Sequence, residues 1–157
     1  MATERFDLEK NRASWIVAAL VGLFAIAAVV VTRPDGSSPS LSAVSGLMSL
    51  KATAQAAMPY DIAMADPKPT LVEFYADWCT TCQALAPTLQ DIHEQAGDQI
   101  NFVMLDIDDP QWRQQVNQFQ VSGVPHLALL DSSHVVADSF VGRVPRQVLV
   151  ARIADLL

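Results

Sequence analysis

The chain has 157 residues, with 17 Asp and Glu against 10 Lys and Arg and a formal net charge of −7. Acidity of this kind excludes the electrostatic footprint of a nucleic-acid binder, and the length leaves room for one core plus accessory segments. The 51% hydrophobic content is raised by a single block near the N-terminus.

That block, Trp15 to Val31, contains no charged residue and as a helix would extend ~26 Å, most of a bilayer core. A cleaved signal peptide is the rival reading, since Arg5, Lys10 and Arg12 precede the block. Against it, the apolar stretch exceeds the usual roughly 7–15 residues and lacks a small-x-small site at its end. Residues 1–14 are therefore expected to be an N-terminal cytoplasmic tail and 15–32 a single transmembrane anchor. The three basic residues ahead of the span, against Arg33 just after it, keep the N-terminus inside and export the rest. Residues 33–58 begin with a Pro, Gly and Ser-rich run and read as a linker, although Leu41, Val44, Leu47, Met48 and Met58 are loosely helical in spacing.

From Pro59 the patterning tightens, and residues 59–157 read as one soluble domain. It carries thirteen acids against five bases, 13 − 5 giving a net of −8, so it is repelled by anionic membrane surfaces and by nucleic acid alike. A short helix is expected around Asp61 to Ala65, then a strand at Thr70 to Tyr75. A helix follows from Cys79 to Ala96 with Gly97 as its stop. Ile100 to Ile107 reads as a buried strand, Pro110 to Phe119 as a polar helical stretch and Val121 to Pro125 as a turn. His126 to Leu130 and Val135 to Val141 form a hairpin around Asp131-Ser132-Ser133, and Pro145 to Leu157 closes as a helix. One parallel crossover and one final hairpin predict an α/β fold with a mixed sheet and helices on both faces.

The two cysteines, Cys79 and Cys82, are three apart between the first strand and the helix after it. A helix opening at Cys79 places its sulfur among free backbone N–H groups at the positive end of the helix dipole, and brings Cys82 onto the same face one turn later. Reversible redox chemistry is one reading. A zinc half-site would need two more ligands, and His93, His126 and His134 are scattered. A structural disulfide across so short a loop would constrain the unfolded chain little.

The run Leu71 to Cys82 (LVEFYADWCTTC), Pro87 in the following helix, Gly123-Val124-Pro125 before a strand and Gly142 after the last strand together resemble the thioredoxin family. The resemblance covers about two thirds of the chain. FYADWCTTC, NFVMLDIDDPQW, VSGVPH and VGRVPRQ, with the N-terminal anchor, are most similar to membrane-anchored thioredoxin-like proteins of the TxlA type, from cyanobacteria and chloroplast thylakoids. It implies a thioredoxin-like three-layer fold and a thiol:disulfide interchange activity, with no cofactor. The implied setting has the thioredoxin domain in the periplasm or thylakoid lumen and the N-terminus cytoplasmic or stromal. Implied partners are disulfide-containing proteins, including targets in cytochrome assembly, and a membrane thiol transporter of the CcdA type as electron donor.

By the same resemblance Cys79 is the nucleophile, Cys82 resolves the mixed disulfide, and the Cys79–Cys82 disulfide is the redox-active pair. Trp78 shapes the docking surface. Pro125 matches the family's cis-proline, which leaves the Val124 backbone free to pair with a target segment; the residues alone would assign a trans bond. Glu73 falls where ordinary thioredoxin has a buried acid that relays a proton, and the lysine that partners this acid there is Met104 here, which would raise the Glu73 pKa. Thr80-Thr81 replaces the Gly-Pro of ordinary thioredoxin and leaves the redox direction open between reductant and oxidant. A tethered binding or assembly factor using the same loop face is the reading from another class. His126 reads either as a group that tunes the thiolate or as a structural imidazole at a strand start.

Overall fold

The computed structural model describes residues 39–157. The expected tail (1–14), the apolar span (15–32) and residues 33–38 lie outside the described residues. Among the described residues no helix is long and apolar enough to cross a membrane.

Four strands form one sheet in the order β2-β1-β3-β4, with β1 at Thr70–Tyr75, β2 at Asn101–Asp106, β3 at His126–Leu130 and β4 at Val136–Val141. β1 pairs parallel with β2 and antiparallel with β3, and β3 pairs antiparallel with β4. The sheet is mixed, as the alternation of elements predicts. All six residues of β1 are buried, because a central strand covered on both faces has no solvent side. The edge strand β4 instead alternates between exposed and half-buried positions.

Side chains one residue apart in β1 serve different cores. Leu71 packs with Leu85, Leu89, Ile92, Leu127, Leu129 and Leu149 on one face. Val72 and Phe74 pack with Val103, Leu105, Ala128 and Leu130 on the other, beneath Tyr60, Trp112 and Phe119. The first core is closed by α3 (Thr80–Ala96) and α5 (Arg146–Ala154), the second by α2 (Tyr60–Ala63), a 3-10 turn at Pro110–Trp112 and α4 (Arg113–Gln118). The break between Pro110–Trp112 and α4 divides what the sequence suggests is one helical stretch. Asp109 caps it, its carboxylate accepting the Gln111 N–H at 3.0 Å, and Pro110 sits in the first turn where its missing N–H costs nothing.

The linker expected over residues 33–58 is corrected from Pro39 onward. Helix α1 (Pro39–Ala56) lies alongside α3, with Leu50 fully buried among Tyr75, Ala76, Cys79, Cys82 and Ala86. The two helices run parallel: Gly46 lies against Gln83 near the start of α3, and Thr53 and Ala56 share a groove with Gln90 and Glu94 further along. Gly46 permits the approach, since a Cβ there would stand 3.1 Å from that of Gln83. Lys51 also pairs with Asp77, just ahead of the cysteine motif. The inward face of α1, Gly46, Leu47, Leu50, Thr53 and Ala54, repeats at helical spacing but is mostly small. Its hydrophobic signal is therefore weak.

Candidate functional site

Helix α3 begins at Thr80, with Cys79 as its N-cap. Sγ of Cys79 accepts the backbone N–H of Cys82 at 3.0 Å, the position an N-cap oxygen ordinarily fills. That N–H and the helix dipole favour negative charge on Cys79 over Cys82. Cys79 and Cys82 are joined as a disulfide. Both are buried, Cys79 at 5% exposure and Cys82 at 0%, so in the dithiol state the outer sulfur is the one able to meet a large partner first.

The flanking residues fix this loop. The carbonyl of Asp77 accepts from Gln83 Nε2 at 2.7 Å, and Cys79 N–H donates to the Ala76 carbonyl at 3.1 Å. Trp78 is 64% exposed and is held by its indole N–H, which donates to the Asp108 carboxylate at 2.7 Å. Asp108 is itself placed by the β2 end, where its N–H donates to Asp106 Oδ1 at 3.0 Å. The Trp78–Asp108 link is not visible in the sequence, because the two residues lie thirty positions apart with no local signal between them.

The Val124–Pro125 peptide bond is cis. Val124 packs against the cluster that holds Cys79 and Cys82, and Pro125 is buried. The Pro125 carbonyl accepts the Gly142 N–H at 2.8 Å, with Gly142 at φ +86, a conformation that glycine adopts without strain. Loop and cysteines thus meet at one end of the sheet. Among the described residues no backbone hydrogen bond engages Val124.

Glu73 lies in the middle of β1, on the same face as Leu71 and Tyr75, between the main core and the cysteine cluster. It is 1% exposed and neither carboxylate oxygen has a hydrogen-bond partner. Its neighbours in register are Met104 on β2 and Leu127 on β3, so neither adjacent strand supplies a cation. Burial pushes its pKa up to about 8. Met104 also packs on the cysteine cluster, which puts Glu73 one side chain from Cys82's surroundings.

His126 takes the other face. Its Nε2 lies 2.9 Å from the Ser139 hydroxyl, its ring meets Phe74 edge-on, and burial lowers its pKa. It is therefore away from the acid, although it follows Pro125 directly. Among the described residues no three His, Cys, Asp or Glu side chains gather as metal ligands would.

A family profile described as Thioredoxin matches residues 51–155. The chain is 42% identical over 140 residues to thioredoxin-like protein HCF164, chloroplastic, of Arabidopsis thaliana, covering 89% of this chain and 50% of that protein. It is 42% identical over 110 residues to a thiol:disulfide interchange protein TxlA homolog of Synechocystis, covering 70% of this chain and 61% of that protein. The chain thus spans about half the length of the plant relative. Among solved structures, the thioredoxin Deadhead of Drosophila superposes with a TM-score of 0.54 at 23% identity, covering 62% of this chain and 89% of that one, which bears on the fold. With the profile spanning the whole sheet and both cysteines, the chain belongs to the thioredoxin family.

Proposed function

We propose that this chain is a membrane-held thiol:disulfide interchange protein that reduces disulfides in exported or lumenal proteins. The observation that carries the reading is the pair itself: Cys79 at the α3 N-cap, its sulfur accepting the Cys82 N–H, beside the cis Val124–Pro125 loop. In the dithiol form the Cys79 thiolate attacks a target disulfide, one target sulfur leaves as a thiolate, and a mixed disulfide forms. Cys82 then gives its proton to the Glu73 carboxylate and attacks Sγ of Cys79. The second target sulfur leaves, two electrons have passed to the target, and the protein holds the Cys79–Cys82 disulfide.

Trp78, Val124 and Pro125 form the surface on which an extended target segment lies, with the Val124 backbone as its hydrogen-bonding edge. The uncharged span 15–32 serves as the anchor, with the tail 1–14 cytoplasmic or stromal and the thioredoxin domain periplasmic or lumenal. The chloroplastic and cyanobacterial relatives support a thylakoid setting, in which proteins of cytochrome complex assembly would be among the targets. A thiol transporter of the CcdA type would then return the electrons.

The full chain with Cys82→Ser tests the reading. Incubated with a disulfide-bearing protein, it accumulates a covalent adduct through Cys79 that dithiothreitol releases, and the Cys79→Ser/Cys82→Ser double variant forms none. Partner binding without any adduct would contradict exchange and favour a binding factor.

A further inference from the structure

The buried acid at Glu73 needs a route by which its proton reaches water, and the seam between α1 and α3 contains one. Glu73 opens on a cavity of about 10 Å³ available to the centre of a water molecule, lined also by Thr53, Leu89, His93 and Met104. That is room for about one water. On the outer side of the same wall lies a groove of about 430 Å³, lined by Thr53, Gln90, His93, Glu94 and Asp98. Thr53 and His93 line both spaces. Thr53 and His93 are therefore the residues shared by the buried acid's cavity and the solvent-facing groove, and their hydroxyl and imidazole can each accept and donate a proton.

Their placement comes from the two helices. Thr53 is 6% exposed and its hydroxyl donates to the Ser49 carbonyl at 2.9 Å, leaving its lone pairs to accept from a cavity water. His93 is set by stacking on Phe102, ring centroids 4.6 Å apart. The other groups around Glu73 are not titratable near neutrality: Met104 and Phe102 come from β2, Leu127 from β3, Leu89 from α3 and Ala57 follows α1. Tyr75, on the same strand face, is held up to about 12. On the groove side stand Glu94 and Asp98.

We propose that His93, with Thr53 holding the intervening water, is the proton exit of the redox centre, passing the proton that Glu73 takes from Cys82 out through the α1–α3 groove. The inference rests on the exchange reading above. After Cys82 has been deprotonated, protonated Glu73 donates to the cavity water, the water donates to the His93 ring, and the ring releases the proton to solvent, restoring the carboxylate. Each hop breaks one O–H or N–H bond and forms another; no electrons are transferred and no bond between heavy atoms changes.

The test uses the full chain in the reduced state, following single-turnover oxidation by a small-molecule disulfide between pH 6 and 9. His93→Gln keeps bulk and polarity but removes the relay; it should slow the step about fivefold or more above neutral pH, a small part of the 10²–10⁴ that general acid–base groups contribute. In a Glu73→Gln background the same substitution should change nothing further. Thr53→Val should slow the step in the same Glu73-dependent way, and it carries the test if His93→Gln fails to fold. No slowing, or equal slowing with and without Glu73, overturns the relay. Adduct formation through Cys79 in Cys82→Ser scores the exchange reading by itself, so its loss overturns both proposals while its persistence confines a failure to the relay.

Discussion

Glu73 and His126 are buried ionisable side chains on neighbouring strands, one on each face of the sheet, and they are treated differently. His126 has a hydroxyl partner in Ser139 for Nε2, although not for Nδ1, while Glu73 has none for either oxygen. A fold selected only for stability would not keep a bare carboxylic acid at the centre of its sheet, since an unpartnered buried polar group costs free energy that an apolar residue would not. The imidazole belongs to the packing of its face. The acid, on the reading proposed above, serves the chemistry of the cysteines, and the groove to solvent runs between α1 and α3.

The sharpest way to break this contrast is through pH. Because the folded state holds the Glu73 proton up to about 8 against an ordinary value of 4.5, the folded chain binds more protons than the unfolded chain between those values. Its contribution is thus fully favourable below pH 4.5 and is lost as pH rises to about 8. Glu73→Gln should stabilise the protein at pH 9 by on the order of 3–5 kcal/mol, little at pH 4.5, while slowing disulfide exchange above neutrality. Chemical denaturation at the two pH values measures the first effect. Equal stability of both forms at pH 9 would mean that Glu73 is solvated.

Next in size is the cover. Leu50→Ala should cost about 2–4 kcal/mol, the usual range for emptying a buried leucine site, although Leu50 lies where a linker was expected. An unchanged denaturation midpoint would show that α1 does not hold its place. Smaller still is the opposite face. Ser139→Ala leaves His126 Nε2 unpaired and should cost about 1–3 kcal/mol, with exchange rates at neutral pH unaffected. The sign of the His126 pH dependence is reversed relative to Glu73. Its pKa is lowered on folding from the ordinary 6.5, so its contribution is fully present above about 6.5 and is lost as pH falls from there through the lowered folded-state value. Replacing His126 with Gln should flatten that acid limb, as thermal melts from pH 7 to pH 5 would reveal.

Much of this was legible in the chain. Thr70–Tyr75 and His126–Leu130 have the strand bounds read from their apolar runs, and the mixed sheet follows from one crossover and one hairpin. The cysteines announce themselves by spacing, and Glu73 by being charged inside an apolar strand. The cis bond before Pro125 was accessible only through family resemblance, because nothing local distinguishes it from a trans one. The sequence of helix α1 reads as a tether for a physical reason: its inward face is Gly, Ala and Thr around two leucines, and small residues pack helices closely without raising hydropathy. The joint position of Thr53 and His93, forty positions apart in the sequence, has no local signal, since it depends on how two helices lie together.

The most direct test of the account is a redox titration of the full chain in glutathione buffers, following the Cys79–Cys82 disulfide by thiol alkylation. A reductant built on this pair gives one reversible two-electron transition with a midpoint below about −220 mV. A midpoint near about −120 mV, the oxidant end of the thioredoxin-fold range, or a pair that never exchanges with glutathione, would contradict it.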